Sequence, residues 1–366
     1  MRLTGFRGRR RLHSERDNFE NTEDIMFLKL VKRISLALAV AAAMAVQPAS
    51  AQSTFELKVV SNTRNSSQFT EKWQWFAEEM KAKTNGAVTV QVSSFPELGL
   101  TGQELIRMLN SSLVDVAEVV TGYVSGDAPL IEGVQLPGAF KDYAQSRAAY
   151  DAWLPSVVMQ NQAVFGGKPI GSFAFSSQYL WSKFPVESLD DLKGKKIRVF
   201  SVSQADYFGA LGAEAVFIPL SEVYSALERG VVDAVVTGPE SGAGLKLWEV
   251  VKHVVDLRLG AGAGFIVVSP TTLTTMPAEG QGALDELTPR INELGWSLGE
   301  KDTKAGLDLA VANGMTLRIP GKPEWQDKLV EIARTVVVPK WAERAGGDSK
   351  QTFNTVIGPI AGFQAP

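Results

Sequence analysis

Arg198 is the residue in this chain whose surroundings most clearly call for chemistry. It sits in the β-type run Lys195 to Phe200, between Ile197 and Val199, a setting in which an unpaired guanidinium is costly. Such an arginine needs an anion, and a planar carboxylate suits its two-pronged donor geometry best. Either an internal Asp or Glu supplies that carboxylate, or a ligand does. Other chemistries find little support. His253 is the one histidine beyond residue 51, so a Ser-His-Asp triad would have to be built on it, and a multi-histidine zinc site is excluded. Neither G-x-S-x-G nor H-E-x-x-H occurs, and no EF-hand loop is present. Glu240 and Asp233 are the carboxylates that a secreted hydrolase or lyase would use. Gly260 to Gly264 has the glycine content of a dinucleotide loop, but it leads into the strand-like FIVVS and opens no helix, so the phosphate cradle is missing.

The elements that must hold Arg198 follow from periodicity. Phe55 to Asn62 alternates as a strand, and Ser67 to Thr84 has helical spacing through Phe69, Trp73, Phe76 and Met80. Trp73 and Trp75 are two apart, so only one can face the core. Asn85-Gly86 suits a left-handed helix end, and Ala87 to Phe95 alternates again. This β-α-β order predicts an α/β lobe with a largely parallel sheet. Leu109 to Ala117 and Leu227 to Val235 align without gaps at an offset of 118 residues and share Leu, a small residue, an apolar pair and Asp, which suggests two lobes on one plan. Between them lie the Pro/Gly-rich Gly126 to Gly138 and a strand from Lys168 to Phe175. Phe265 to Ser269 reads as a buried strand and Ala283 to Ala312 as a long helix interrupted at Gly295 and Gly299. Met315 to Ile319 is a further strand, and Trp325 to Thr352 is helical with a break at Pro339. Strands that leave the second lobe and return to the first would make a multi-strand hinge.

Composition narrows the setting. Met26 to Ala51 has a basic start, an apolar stretch from Ile34 to Val46 and a small-residue exit at Ala49-Ser50-Ala51, the pattern of a cleaved signal peptide; the apolar stretch is short of the ~20 residues that span a bilayer. Residues 1–25 are expected to be an upstream extension before the true start at Met26. Beyond Ala51 there remain 28 basic and 35 acidic residues, a net charge of −7, which speaks against nucleic acid as a partner. The chain has no cysteine, so stability rests on packing without disulfides and lipidation through cysteine is excluded.

The segment LDDLKGKKIRV, then LGAEAV, then EVYSALERGVVDA (Leu189 to Ala234) resembles the core signature of the solute-binding proteins of TRAP (tripartite ATP-independent periplasmic) transporters, the C4-dicarboxylate-binding-like family. FELKVVSN, PELGLTGQEL and VQLPGAF match further motifs of that family. The resemblance implies an α/β, two-lobe periplasmic binding protein (type II-like) with a multi-strand hinge and long C-terminal helices. Lobe 1 is expected over 52–174 and the main part of lobe 2 over 175–264. Over 265–366 a hinge-crossing strand, a long helix and C-terminal helices are expected to pack on both lobes. It also implies a receptor, not an enzyme, that captures an organic acid in the periplasm and delivers it to TRAP membrane permease subunits. An ATP-driven importer or a sensory system is the alternative destination.

Carried over residue by residue, the resemblance makes Arg198 the carboxylate anchor and Asn62 the cleft-facing residue at the end of the first strand. Gln178 stands where some members present a second basic residue, which favours a monocarboxylate. Thr237 replaces an asparagine of some relatives and is expected to hydrogen-bond ligand, whereas Glu240 would repel an acid unless a cation bridges them. Tyr123 is expected near the cleft, and Phe175, Tyr179 and Trp181 flank Gln178, with Trp181 on the strand face opposite Gln178 and Leu180. No cofactor is expected.

Overall fold

The computed structural model describes Thr54–Pro366 apart from Asn65; the expected signal segment and the stretch upstream of it lie outside these residues. Among the described residues, eleven strands form two sheets. The first contains β1 (Phe55–Ser61), β2 (Val88–Ser94), β3 (Val116–Val120), β4 (Lys168–Ser177) and β10 (Ala261–Val268), in the order β2-β1-β3-β10-β4. The second contains β5 (Tyr179–Ser182), β6 (Lys196–Val199), β7 (Glu214–Phe217), β8 (Ala234–Thr237), β9 (His253–Val255) and β11 (Thr316–Arg318), in the order β11-β9-β5-β8-β6-β7. β1 runs parallel to β2 and β3, and β6 runs parallel to β7 and β8. Each sheet is completed by antiparallel partners, β10 and β4 in the first and β5 in the second. The fold is therefore a two-lobe α/β architecture, one sheet to each lobe.

The nine-residue repeat does the same mechanical work in both lobes. Asp115 accepts the backbone N–H of Lys58 through Oδ2 at 2.8 Å and donates its own N–H to the Lys58 carbonyl at 3.0 Å. Asp233 makes the matching pair with Lys196, at 2.9 and 2.8 Å. An aspartate placed just before a parallel strand thus fixes that strand's register against its neighbour. This accounts for Asp233 as a structural clamp and removes it from the carboxylates a hydrolase would use.

The chain crosses between the sheets at Gln178, the one residue between β4 and β5, and again at 256–260, between β9 and β10. The two crossings are tied together, because the Gln178 N–H donates to the Gly260 carbonyl at 2.8 Å. A third connection is the 35-residue helix Ala278–Ala312. It is unbroken at Gly295 and Gly299, contrary to the expectation from helix propensity. A Cβ at Gly299 would lie 2.3 Å from the Ala174 carbonyl oxygen of β4, and one at Gly306 would lie 2.3 Å from Pro239. These glycines let the helix lie against β4 and then against the short helix Pro239–Gly244, and that contact outweighs the roughly 1 kcal/mol propensity cost of each.

Pro339 also leaves the chain helical. A wide turn at Ala333–Val337 precedes it, and the proline then falls at the start of Val338–Ala345, where a missing N–H matters least. The Gly260 to Gly264 stretch is not a loop: from Ala261 onward it is part of β10, with Gly264 needed because a Cβ there would meet the Val119 carbonyl oxygen at 2.2 Å. Trp73 is fully buried and Trp75 only partly so. Strand alternation in β5 sends Leu180 to the large first core and Trp181 to a smaller second core with Leu227, Val235 and Val254.

Candidate functional site

In open parallel sheets ligands bind beyond the carboxyl ends of the strands, and the residues singled out from the sequence collect there. Asn62 follows β1 and Tyr123 follows β3; Arg198 is the penultimate residue of β6, and Thr237 is the last residue of β8. A slot of about 30 Å³ is lined by Asn62, Tyr123, Phe175, Gln178, Arg198 and Thr237, together with Phe200, Leu220 and Gly262. Six of the seven expected residues thus meet in one place, contributed by both lobes. Glu240 is not among the lining residues, although its neighbour Ser241 is.

Arg198 is 1% exposed. Its position in a strand flanked on both sides by parallel neighbours places its guanidinium beside two strand ends: Nε donates to the Ile218 carbonyl and Nη1 to the Val236 carbonyl, each at 2.8 Å. Nη2 is buried with no hydrogen-bond partner. Among the described residues no carboxylate forms an ion pair with this arginine, so the internal-pairing alternative fails. The carbonyls orient the group without neutralising it, and the donors left on Nη1 and Nη2 are enough for both oxygens of one carboxylate. Burial holds its pKa below the usual arginine value, with the Tyr123 phenol opposing that shift. The Phe200 ring lies 5.2 Å from the guanidinium carbon and packs edge-on against Tyr123 at 5.7 Å.

The lobe-one wall rests on a buried network that the sequence reading missed. Lys72 and Glu118 are both fully buried and pair at 2.6 Å. Glu118 also accepts from the Trp73 indole at 2.9 Å, the Ser61 hydroxyl at 2.7 Å and the Asn62 N–H at 3.1 Å. The network fixes the backbone of Asn62 at the mouth of the slot. Burial pulls the Lys72 ammonium below its ordinary pKa, and Glu118 opposes this. Glu118 did carry a signal, since it is the lone charge in the apolar strand VAEVV, as Arg198 is in IRV.

Gln178 is buried, and its amide packs so closely that a Cβ at Gly262 would lie 2.3 Å from its Nε2. Thr237 is buried, and its carbonyl accepts the Trp181 indole N–H at 3.2 Å. Glu240 is partly exposed. Burial first, with Asp302 and Glu118 adding to it and the Ser241 hydroxyl opposing, pushes its carboxyl up to about 7. Two basic residues near slot-lining positions in the sequence, Arg64 and Lys183, are engaged elsewhere: Arg64 pairs with Glu97, and Lys183 donates to the Leu227 carbonyl. His253 begins β9, partly buried, with its pKa lowered by that burial.

The profile of bacterial extracellular solute-binding protein, family 7, matches residues 59–339. The chain belongs to this family. As a family 7 protein it is a solute receptor of the TRAP type and not an enzyme. It is 26% identical over 323 residues to a solute-binding protein of Sulfitobacter sp. strain NAS-14.1, covering 87% of this chain and 96% of that one. It is 25% identical over 280 residues to the C4-dicarboxylate-binding periplasmic protein of Rhodobacter capsulatus, covering 75% and 82%. A solved extracytoplasmic solute receptor of Bordetella pertussis, which binds pyroglutamic acid, superposes with a TM-score of 0.74 at 25% identity, over 83% of this chain and 99% of that one. No helix among the described residues of this family 7 protein is long and apolar enough to cross a membrane.

Proposed function

We propose that this protein captures an organic monocarboxylate in the periplasm, closes its lobes around it and hands it to the membrane permease of a TRAP transporter. One observation carries the reading: a buried guanidinium, oriented by two carbonyls, with an unbonded Nη2 and no acidic partner among the described residues. A ligand carboxylate completes it. Asn62 and Tyr123 from lobe one and Gln178 at the crossing then contact the acid only when the lobes are close, and contacts confined to the closed form are what shift the population toward it. Lobe one in this reading comprises the described residues up to the β4–β5 crossing together with β10, and the long helix bridges both lobes.

The preference for one carboxylate follows from charge. Arg198 is the one charged side chain lining the slot itself and the cavities that share Tyr123 and Leu220 with it; Lys141 and Arg258 line a separate cavity on the other side of Gln178, beside Asp142 and Asp256. Gln178 offers a neutral amide, suited to a hydroxyl or keto oxygen, so a second buried carboxylate would carry a desolvation cost of several kcal/mol. Pyroglutamic acid, the ligand of the Bordetella relative, has a single carboxylate, in keeping with this. Glu240, raised to about 7, carries less negative charge near neutral pH than an ordinary carboxylate, so it repels a nearby acid less.

A thermal-shift panel tests the reading. At equal concentration, pyroglutamate, lactate, pyruvate and benzoate are expected to include the most stabilising ligand, ahead of succinate and malate. Stabilisation follows RT ln(1 + [L]/Kd), so a tenfold preference appears as about 1.4 kcal/mol. If the C4-dicarboxylates give the largest shift, the monocarboxylate assignment is wrong.

A further inference from the structure

The Arg198 slot adjoins a second, larger space. It shares Asn62, Tyr123 and Leu220 with a cavity of about 390 Å³ whose walls come from both lobes: Phe95, Pro96 and Leu100 from the first, Pro219, Leu220 and Leu245 from the second. No charged side chain lines this second space. The two volumes differ more than tenfold. The slot of about 30 Å³ has room for little beyond a carboxylate, while 390 Å³ falls in the range of pockets that enclose whole organic ligands, about 300–1,000 Å³. The tyrosine between them is held in place. Its ring packs against Phe95 at 6.5 Å and edge-on to Phe200 at 5.7 Å. Gly102, at φ +93°, leaves room for it, since a Cβ there would lie 2.6 Å from the Tyr123 ring.

We infer that this cavity is the compartment for the ligand's body, and that the substrates are amphipathic monocarboxylates with an uncharged, apolar portion of about six or more carbons. The inference rests on the carboxylate reading of Arg198 and deepens it. A short polar acid would fill the slot and leave the apolar walls wetted, gaining nothing from closure of Leu220 and Leu245 over Phe95 and Leu100. An acid with an apolar tail removes those walls from water as the lobes close, so its affinity grows with the area buried. A terminal second charge would enter a space with no cation to receive it.

The test is calorimetric titration with straight-chain acids from acetate to octanoate, with 3-phenylpropionate, and with adipate as the chain-matched partner of hexanoate. Affinity is expected to rise roughly three- to fourfold per added methylene up to hexanoate or beyond, and adipate to bind at least about tenfold more weakly than hexanoate. In Leu245→Asn, with its melting temperature checked, the slope of affinity against chain length should flatten. A flat or falling chain-length series in the parent protein overturns the compartment, as does adipate binding as tightly as hexanoate. The two readings fail differently. If acids bind, and lose that binding in Arg198→Ala, but show no dependence on length, only the compartment is refuted. If no acid in the series binds, or if Arg198→Ala binds them as well as the parent, the carboxylate reading falls and the compartment with it.

Discussion

Lys72 and Arg198 are the two buried cations among the described residues, and the molecule treats them in opposite ways. The lysine has a carboxylate at 2.6 Å, and that carboxylate is further bonded to a hydroxyl, an indole and a backbone N–H. It also lies over the rings of Trp73 and Phe173, at 4.9 and 4.6 Å. The arginine has two carbonyls and no acid. Both pay desolvation, as the downward direction of both pKa values records, but only the lysine is offset by an internal anion. Burial of a charge therefore does not mark a binding site. A partner missing from an otherwise well-oriented buried charge does, because a cost of that size persists where a ligand removes it.

The contrast can be broken most forcefully at its structural end. Lys72→Met leaves Glu118 buried without its cation, and we expect a loss of about 3 to 5 kcal/mol in folding stability by urea denaturation. A loss below about 1 kcal/mol would mean that the pair does not hold lobe one.

A smaller effect sharpens the electrostatics near the slot. Because the Glu240 carboxyl is raised to about 7 from 4.5, the folded state holds this proton more tightly than the unfolded chain. Its contribution to stability is fully present below pH 4.5 and is lost as pH rises through 7. Comparing melting at pH 5.5 and 8, the parent should lose about 1 to 2 kcal/mol that Glu240→Gln does not lose. Equal pH profiles would place the Glu240 titration elsewhere. Affinity for a monocarboxylate should fall over the same interval, as Glu240 ionises.

The smallest expected effect concerns the neutral amide beside Arg198. Gly262→Ala pushes its new methyl onto the Gln178 Nε2, 2.3 Å away. Since the end of a side chain can yield, the cost should be about 1 kcal/mol, read as a few-fold weaker acid binding with the fold intact. An unchanged dissociation constant would show that Gln178 does not touch the ligand.

What could be read from the sequence was whatever depends on local pattern. Arg198 stood out as one charge in an apolar strand, and the aspartates of the repeat were visible as a shared type at a fixed offset. Lys72 and Glu118 were missed because recognising them requires knowing that a helix and β3 meet, although Lys72 lies one turn before the core residue Phe76 and one after buried Gln68. Gly295 and Gly299 were misread for the same reason: propensity treats glycine as a break, whereas here each marks where a Cβ would lie within 3 Å of another backbone or side chain. Pro339 misled because the wide turn before it is not encoded by any single residue type. The meeting of Asn62, Gln178 and Arg198 depends on two sheets and their crossings, which no local pattern specifies.

The most direct test of the central claim is Arg198→Met, titrated calorimetrically with the best acid from the panel and unfolded without ligand. The account predicts that affinity falls by at least about thirtyfold, the equivalent of roughly 2 to 5 kcal/mol, while ligand-free stability stays within about 2 kcal/mol of the parent, since the two carbonyls at Ile218 and Val236 lose a donor but no buried carboxylate loses a partner. Retained affinity would contradict it, as would a ligand-free loss as large as that of Lys72→Met, for then the arginine would be a structural cation like the lysine.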